Sequence, residues 1–444
     1  MASYHIWTIG CQMNVSESER LGSGLEQLGY EKAKIAEDAD IVILNSCVVR
    51  QGAEDKVTAR LDSLKGYKRE NPEGTVALMG CMVGPRTEEL HKRFPHVEFF
   101  MRPQEFQSML EFAANRQGLS CDSDLAMLIP AAPMASTFIP IMQGCDEFCT
   151  FCIIPYRRGR EKSRPIEELI HESEMLAQRG VVEVTLLGQI VDRYGHDLPG
   201  SIDLSDLLKA INKIDGIERI RFLTSHPRDM NDNIIHAVAS LDKVCEHILL
   251  PFQSGNDDVL KRMRRPYDMK NYLELIAKIR RDIPGVSLST DVIVGFCGET
   301  EDEFQDTVNI LKQVKFDIVH TSVYSNRPGT IASRKLVDDV PLEIKIARKN
   351  IIEEIQKDIS SKNNAELVGQ NVEVLVERKR RDKWEGRTRT NKIVHFEDDR
   401  SDWKGKFVEL EIIKSANWSL LGVLPEKKDP TNQKDLENHD FQDI

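Results

Sequence analysis

A CxxxCxxC run formed by Cys145, Cys149 and Cys152 constrains this chain more than any other stretch of its sequence. Three thiolates so close together can occupy three corners of a cubane iron–sulfur cluster and leave the fourth iron free to bind a substrate. Phe148 and Phe151 stand between the thiols and would shield such a cluster from water. A zinc knuckle or three unrelated thiols are the alternatives. Structural zinc usually takes four ligands, however, and no second CxxC pair or HxxxH run follows. The spacing therefore predicts a metal cluster with an open coordination position.

A second group of cysteines follows predicted strands in the N-terminal part of the chain. Apolar, strand-like runs lie at residues 4–9, 41–44 and 75–79. They alternate with helix-like stretches, which predicts a small parallel sheet covered by helices. A cysteine stands just after each of these strands: Cys11, Cys47 and Cys81. Because the carboxyl ends of parallel strands share one edge of a sheet, we expect the three thiols to converge in a second three-cysteine site. Three separate core cysteines are the alternative.

The remainder of the chain divides into two further patterns. Strand-like and helix-like runs alternate through the middle of the sequence, which predicts an open or partial (βα)6 barrel with its active site in the loops after the strands. Short strands separated by polar turns then predict a small closed β-barrel of the oligonucleotide-binding kind. The expected fold is therefore α/β, in four parts. These are a parallel α/β domain at residues 1–118, the partial barrel at 131–362, the all-β barrel at 365–425, and a tail at 426–444 that is expected to be disordered.

Composition indicates where such a protein works. The chain has 444 residues, of which 40% are apolar and 30% charged, as in an ordinary globular protein. No apolar stretch approaches the roughly 18 residues that a membrane span needs. The N-terminus has neither a basic region nor a long apolar region of the signal-peptide type. Nine cysteines without an export signal indicate metal-binding or catalytic thiols in a reducing compartment, so a cytoplasmic protein is predicted.

The distribution of charge predicts a polyanionic partner. The net charge of −12 argues weakly against binding to nucleic acid, but local basic clusters bind phosphates whatever the total charge. Three such clusters lie at residues 157–164, 261–265 and 378–392. Trp384 stands inside the third, and basic side chains beside an aromatic ring suit a phosphate backbone and a stacked base. Solvated charged faces, and a tryptophan in the barrel core, are the alternatives.

The motifs around the cysteines resemble a known enzyme family. The stretch at 143–165 is similar to the cluster motif of the methylthiotransferases among the radical S-adenosylmethionine (SAM) enzymes. It contains Cys145, Cys149, Cys152 and then Ile153-Ile154-Pro155-Tyr156-Arg157-Arg158-Gly159-Arg160. Further motifs resemble the MiaB-type tRNA methylthiotransferases: Gly10-Cys11-Gln12-Met13-Asn14, Asn45-Ser46-Cys47, Gly80-Cys81 and Gly386-Arg387-Thr388. The resemblance covers nearly the whole chain except the C-terminal tail.

This resemblance implies an N-terminal methylthiotransferase domain, a radical SAM partial barrel and a C-terminal TRAM barrel that binds RNA. It implies conversion of N6-isopentenyladenosine, next to the tRNA anticodon, to its 2-methylthio derivative. The implied cofactors are two 4Fe–4S clusters and SAM. Cys145, Cys149 and Cys152 would hold the cluster that cleaves SAM to a deoxyadenosyl radical. Cys11, Cys47 and Cys81 would hold an auxiliary cluster that carries the sulfur, and a second SAM would supply the methyl group. A cofactor radical suits this reaction because adenine C2–H is too inert for acid–base chemistry.

The resemblance also assigns residues and partners. The SAM and substrate cavity would be lined by Gly188, Gln189, Ser225, Gln253, Ser254 and Asp291. Contacts with the tRNA anticodon stem–loop are expected from Arg157, Arg158, Arg160, Arg378, Arg380, Arg381, Trp384, Arg387, Arg389 and Lys392. The other partner would be an electron donor such as flavodoxin or ferredoxin. We expect a monomer that does not bind membranes.

Two segments depart from the family pattern, and rival functions remain. Ile190-Val191-Asp192 follows Gln189 where Asn-Val-Asn is expected, and Cys297 replaces the proline of a GFPGET segment. These departures bear on substrate contacts and leave the enzyme class intact. The nearest rivals are methylthiotransferases for threonylcarbamoyl-adenosine in tRNA or for an aspartate of a ribosomal protein. A non-catalytic, metal-stabilised RNA-binding protein is a rival of another class, although structural metal sites are normally closed by a fourth ligand.

Overall fold

The computed structural model describes residues 1–48, 51–119, 128–129, 133–399 and 402–425. The tail at 426–444, predicted to be disordered, lies outside the described residues. Among the described residues, no helix is long and apolar enough to cross a membrane.

The N-terminal part is a five-stranded parallel sheet covered by helices on both faces. Its strands are β1 (Ser3–Thr8), β2 (Glu31–Lys32), β3 (Ile41–Ser46), β4 (Thr75–Gly80) and β5 (Phe99–Met101), in the order β2-β1-β3-β4-β5. Its helices are α1 (Gln12–Gln27), α2 (Gln51–Glu70), α3 (Glu88–Arg93) and α4 (Gln107–Arg116). Helices α1 and α4 pack on one face of the sheet and α2 on the other. Strands β3 and β4 are therefore buried along their whole length, as central strands of parallel sheets are.

Six parallel strands form the central partial barrel. They are β6 (Ser136–Pro140), β9 (Glu183–Leu187), β10 (Arg219–Phe222), β11 (His247–Leu249), β12 (Ser287–Val294) and β13 (Ile318–Val323). Strands β6, β9 and β10 pair side by side, and so do β11, β12 and β13. Backbone hydrogen bonds from Cys245 N to Ile220 O (2.9 Å) and from Ser225 N to Leu249 O (3.0 Å) join the two halves. A short antiparallel pair, β7 (Met142–Gln143) and β8 (Lys162–Ser163), lies beside the loop that carries the CxxxCxxC run.

Nine helices accompany these strands in the described part of the barrel. They are α5 (Ile154–Arg158), α6 (Ile166–Gln178), α7 (Leu204–Ile211), α8 (Asp232–Ser240), α9 (Asp257–Met263), α10 (Met269–Asp282), α11 (Glu301–Val314), α12 (Ile331–Lys335) and α13 (Leu342–Ala365). Local sequence sets several of their ends. Helix α11, for example, is capped by Thr300, whose hydroxyl accepts a hydrogen bond from the backbone N–H of Glu303 in a capping box. Apolar side chains from the strands and helices form one continuous core, in agreement with the predicted (βα)6 arrangement.

The C-terminal part is a closed five-stranded barrel. Its strands are β14 (Asn371–Arg380), β15 (Lys383–Thr388), β16 (Ile393–Phe396), β17 (Phe407–Ser415) and β18 (Ser419–Val423), in the order β14-β15-β16-β18-β17. Val374, Phe396 and Leu410 are among its buried core residues. Gly386 lets two strands approach closely, because a Cβ there would lie 2.3 Å from the carbonyl oxygen of Leu375. The predicted α/β fold with a small all-β barrel at its C-terminus is confirmed.

Two arginines of β10 dock this barrel onto the central one. Arg219 donates from Nη1 to the carbonyl oxygen of Arg387 (2.8 Å) and from Nη2 to Glu373 Oε1 (2.7 Å). Arg221 donates from Nη2 to the carbonyl oxygen of Thr388 (2.7 Å). Both arginines are buried, and their charge-assisted hydrogen bonds fix the relative position of the two barrels.

Candidate metal centres and active-site cavity

The structure places Cys11, Cys47 and Cys81 at one edge of the N-terminal sheet. Cys11 follows β1 and stands at the N-cap of α1, while Cys47 and Cys81 follow the neighbouring strands β3 and β4. Cys47 and Cys81 are buried, whereas Cys11 is exposed. Three thiols that are far apart in the sequence are thus at the carboxyl ends of adjacent strands, where bound groups lie in parallel sheets.

An amide network supports the loops that carry these thiols. Asn14 accepts a hydrogen bond at Oδ1 from the backbone N–H of Cys11 (3.2 Å) and donates from Nδ2 to Asn45 Oδ1 (2.9 Å). Asn45 donates in turn to the carbonyl oxygen of Asn14 (2.7 Å). Gly80 has φ +97°, and a Cβ there would lie 2.5 Å from the carbonyl oxygen of Ser46. Both the backbone conformation and the close approach therefore require glycine just before Cys81.

The electrostatic surroundings of Cys81 favour a thiol until a metal binds. Burial raises the pKa of the Cys81 thiol to about 12, and the positive charge of Arg158 opposes that shift. The negative charges of Glu17, Cys47 and Cys11 raise the pKa further. Metal ligation needs the thiolate, so a bound cation would have to displace the proton and supply the compensating charge.

A buried ion pair connects this site to the CxxxCxxC segment. Arg158, at the end of α5, donates from Nη1 to Glu17 Oε1 of α1 at 2.6 Å, and both side chains are 1% exposed. The guanidinium interacts electrostatically with Cys81 and Cys11. Arg158 was predicted to contact RNA. The structure instead buries it between two domains, because its charge compensates Glu17.

The second set of thiols lies in the loop between β7 and α5. Cys145 and Cys149 are buried and Cys152 is half-buried. The backbone N–H of Cys145 donates to the carbonyl oxygen of Gly159 (3.1 Å). Gly144 has φ +77°, and a Cβ there would lie 1.9 Å from the carbonyl oxygen of Arg160. The glycine before the first thiol is therefore obligatory for this loop.

Charged groups surround the second set of thiols. Burial raises the pKa of Cys145 to about 12. Arg265, which follows α9, places Nη1 3.6 Å from Cys149 Sγ and donates from Nε to Tyr267 Oη (3.0 Å). The loop itself is held by Glu147, which forms an ion pair with Arg193 at 2.5 Å. A fixed positive charge against one thiolate is a feature that tunes an iron–sulfur cluster.

The number of thiols in each set fits a cubane cluster. Such a cluster bonds each thiolate to a different iron. Each set supplies three thiols, the number that leaves one iron of a cubane open.

A cavity of about 480 Å³ opens beside the second set of thiols. Cys152 and Phe151 line one wall, Gln253 and Asp291 another, and Gln51 of α2 reaches it from the N-terminal domain. Ile153, directly after Cys152, packs into the apolar core that contains Cys81. The two sets of thiols are thus connected by one packed segment, and the cavity lies at the boundary of their domains.

The predicted SAM-binding residues are placed in two groups. Gln253 and Asp291 line the cavity, and Gln253 has φ +65°, a left-handed backbone conformation that is uncommon outside glycine. The carboxamide oxygens of Gln253 and Gln189 are buried without a hydrogen-bond partner, as expected of groups that await a ligand. The remaining predicted SAM-binding residues do not line this cavity. They are Gly188, Gln189, Ser225 and Ser254.

The two segments that depart from the family pattern are both buried. Asp192 is 1% exposed and accepts hydrogen bonds from Ser225 Oγ (2.9 Å) and from the backbone N–H of His226 (2.7 Å). The Ser225 hydroxyl is therefore committed to Asp192. Cys297 lies in a small apolar cluster with Phe296 and Tyr324.

Many of the residues predicted to bind RNA have partners within the protein. Arg389 forms an ion pair with Glu246 of the central barrel (2.8 Å), and Lys392 forms one with Asp317 (2.7 Å). Trp384 is 6% exposed, and its Nε1 donates to the carbonyl oxygen of Asp398 (2.9 Å), which supports the alternative of a core tryptophan.

The other basic residues of this prediction differ in exposure. Arg387 is half-buried beside Glu377 (3.1 Å), and Arg157 is half-buried. The exposed ones are Arg160, Arg378, Arg380 and Arg381. Arg160 and Arg378 each have an acidic partner, Asp146 and Glu385. Arg380 and Arg381 lie at the β14–β15 hairpin and remain the most accessible candidates for contacts with RNA.

Sequence reasoning missed several residues that the structure brings to the site. Arg265 belonged to a basic cluster at 261–265, but only the fold shows that it alone contacts a thiol, Cys149. Arg327, after β13, lines the cavity and is 5% exposed. The Arg-Pro-Gly run that follows a strand could have indicated that Arg327 lies at the site. Arg219, which docks the C-terminal barrel, was missed too, and the pattern of charges in the sequence gave no indication of its role.

Comparison with protein families divides the chain as the structure does. Residues 3–102 match "Uncharacterized protein family UPF0004", residues 139–311 match the Radical SAM superfamily, and residues 365–424 match the TRAM domain. The match to the Radical SAM superfamily covers both the CxxxCxxC run and the cavity-lining residues Gln253 and Asp291. That superfamily implies a 4Fe–4S cluster and SAM as cofactors.

Similar proteins extend along almost the entire chain. A tRNA-2-methylthio-N(6)-dimethylallyladenosine synthase of Dehalococcoides mccartyi is 46% identical over 424 residues, which cover 96% of this chain and 99% of the relative. A protein of the same name from Roseiflexus sp. is 46% identical over 95% of this chain and 89% of its own length.

Solved structures support the fold independently. The radical SAM methyltransferase TsrM from Kitasatospora setae superimposes with a TM-score of 0.53 at 13% identity, and the match covers 74% of each chain. At this identity the likeness concerns the fold alone.

Proposed function

The chain belongs to the tRNA-2-methylthio-N(6)-dimethylallyladenosine synthase family, and on that premise we propose that it converts N6-isopentenyladenosine beside the tRNA anticodon to its 2-methylthio derivative. The enzyme is a radical SAM methylthiotransferase. The observation that carries the proposal is the presence of two three-thiol sets connected by the segment from Cys152 to Arg158. A single-cluster enzyme or a structural zinc protein has no need of that arrangement.

We propose that each set of thiols holds one 4Fe–4S cluster. Cys145, Cys149 and Cys152 would hold the first, and Cys11, Cys47 and Cys81 the second. When bound, the first cluster supplies the electron for reductive cleavage of SAM, and the second supplies the sulfur. The other partners would be the tRNA anticodon stem–loop and an electron donor such as flavodoxin or ferredoxin. The protein would act as a monomer in the cytoplasm.

The protein's own residues would orient the reactants and exclude water. Phe151 and Ile153 line the cavity beside Cys152 with apolar surface, which would limit the access of water to the reacting groups. Gln253 and Asp291 offer a carboxamide and a carboxylate to polar groups of a ligand in the cavity. Arg265 holds a positive charge at Cys149, and the Arg158–Glu17 pair fixes one set of thiols relative to the other. Such preorganisation is the protein's contribution in cofactor enzymes.

Nucleoside mass spectrometry of tRNA tests this function. The gene would be expressed in bacteria whose tRNA contains N6-isopentenyladenosine but lacks its 2-methylthio form. We expect the 2-methylthio nucleoside to appear with the intact chain and to be absent with the Cys145→Ala variant. A 2-methylthio derivative of threonylcarbamoyl-adenosine would instead support the nearest rival. No modified nucleoside, with the protein soluble and iron-loaded, would contradict the proposal.

A further inference from the structure

The cavity at the domain boundary is lined by two cations that the proposed SAM and cluster roles leave unused. They are Arg327 and Lys349, and Gln51 of the N-terminal domain lines the cavity with them. Gln253, Asp291 and Cys152 line it too, so the two cations share one cavity with the chemistry. Lys349 has a partner, Glu353, at 3.1 Å. Of these two cations, Arg327 is the one with buried N–H groups that have no hydrogen-bond partner.

Arg327 is 5% exposed and uses only one of its three guanidinium nitrogens. Nη1 donates to Gln51 Oε1 (2.8 Å) and to Glu54 Oε2 (3.1 Å), both on α2. Nε and Nη2 are buried and have no hydrogen-bond partner. Buried guanidinium donors without acceptors are costly, and native proteins rarely leave them so. These two nitrogens are moreover neighbours on one edge of the planar group.

The Nε–Nη2 edge of a guanidinium presents two parallel N–H bonds. That geometry matches two oxygens of a phosphate or a carboxylate and gives bidentate, charge-assisted hydrogen bonds. Glu54 already pairs with the charge, so the two free N–H groups are what a ligand must satisfy, and an oxyanion would satisfy both at once where a single water would not. Thr321, whose buried hydroxyl also lacks a partner, lines the same cavity and offers a further polar contact. The unsatisfied groups therefore indicate an oxyanion as the missing ligand.

We propose that Arg327 binds a backbone phosphate of the RNA next to the nucleotide that enters the cavity. This inference rests on the proposed function in taking RNA as the substrate. SAM offers a single carboxylate, whereas RNA brings a phosphate with every nucleotide. Arg327 also lies where the N-terminal domain and the central barrel meet, since it donates to Gln51 and Glu54 of α2. A nucleotide inserted towards Cys152 would bring its phosphate to this boundary.

Binding of a labelled anticodon stem–loop tests the proposal without relying on turnover. The reconstituted, cluster-loaded protein would be titrated anaerobically into fluorescein-labelled RNA that contains N6-isopentenyladenosine, at several KCl concentrations. We expect Arg327→Gln to weaken binding roughly tenfold to a hundredfold, as loss of a charged hydrogen-bond pair does. The slope of log Kd against log salt should fall by about 0.7, the value for one single-strand phosphate. Arg327→Lys should keep the salt slope but recover only part of the affinity.

A matched control and a chemical probe locate the effect. Arg20 is half-buried, pairs with Glu172 (2.7 Å) and does not line the cavity, so Arg20→Gln should leave affinity and slope unchanged. Stem–loops with a single neutral methylphosphonate, moved along the strand, should include one position that reproduces the loss. At that position Arg327→Gln should cause no further weakening, because both changes remove the same contact.

The outcomes separate the possible failures. Binding of SAM, measured by equilibrium dialysis, should be the same in Arg327→Gln as in the unmodified protein. Weaker SAM binding with unchanged RNA affinity would overturn the proposal and assign Arg327 to the SAM carboxylate. Unchanged binding of both ligands would overturn it as well. If the unmodified protein itself failed to bind the stem–loop, the proposed function would fail before this inference was reached.

Discussion

Replacing Asp192 by asparagine, the residue that the family pattern has there, should make the protein's stability less dependent on pH. Asp192 is 1% exposed, and burial raises the pKa of its carboxyl from 3.8 to about 7. The hydrogen bonds from His226 N–H and the Ser225 hydroxyl lower the pKa by less than burial raises it. Near neutral pH the carboxyl therefore begins to lose its proton in a site that disfavours a charge.

The direction in which stability changes with pH follows from proton binding to Asp192 in the folded and unfolded states. The folded protein keeps the Asp192 proton up to about pH 7, whereas the unfolded chain releases it near pH 4. The stability that this group contributes is thus complete below about pH 4 and is lost as the pH rises through 7. Between pH 6 and pH 8 the loss amounts to about 1.4 kcal/mol in the free energy of unfolding. Asp192→Asn carries no titrating proton and should not show this loss.

Urea unfolding followed by circular dichroism at pH 6, 7 and 8 measures the effect. We expect Asp192→Asn to gain about 1.4 kcal/mol relative to the unmodified protein from the lowest to the highest pH. Other groups titrate alike in both proteins, so the difference isolates Asp192. Asp203→Asn is the control. Interactions with Ser205 and Asn233 lower the pKa of Asp203, against the effect of burial, so it stays ionised throughout this range and its variant should show a constant difference. If the free energies of unfolding of Asp192→Asn and the unmodified protein differed by the same amount at all three pH values, the reasoning would be refuted.

Three further changes test the contacts that connect the parts. Arg158→Met leaves Glu17 buried without its cationic partner and should cost about 3–5 kcal/mol in the free energy of unfolding; equal denaturation midpoints would contradict this. Arg265→Met removes the positive charge beside Cys149 and should make the cluster's reduction potential more negative, as measured by redox titration monitored by electron paramagnetic resonance. Arg265→Lys keeps the charge and should leave the potential close to that of the unmodified protein. Arg219→Met should release the C-terminal barrel faster in limited proteolysis, and an unchanged digestion pattern would show that other contacts suffice.

The sequence predicts most of the architecture because strand periodicity and turn chemistry are local. Parallel strands that end in cysteines predict the site at Cys11, Cys47 and Cys81, since topology alone brings such ends to one edge. The closed C-terminal barrel was predicted for the same reason. Its five short strands differ clearly in pattern from the helices before them.

The roles of individual charged residues could not be predicted in this way. A basic cluster in the sequence does not show which of its arginines becomes buried, and the partner of Arg158, Glu17, is 141 positions away. Arg389 and Lys392 were assigned to RNA, yet their acidic partners Glu246 and Asp317 lie on another domain. Such pairs depend on how the domains dock, which is determined by tertiary packing and leaves no local pattern.

The central claim is that the two sets of thiols have different tasks, and one comparison of variants tests it most directly. Reconstituted Cys145→Ala and Cys81→Ala proteins would be incubated with SAM, a reductant and tRNA, and both deoxyadenosine and the 2-methylthio nucleoside would be measured. We expect Cys145→Ala to form neither product. Cys81→Ala should still form deoxyadenosine but no 2-methylthio nucleoside. Normal methylthiolation by either variant would contradict the role given to that cysteine.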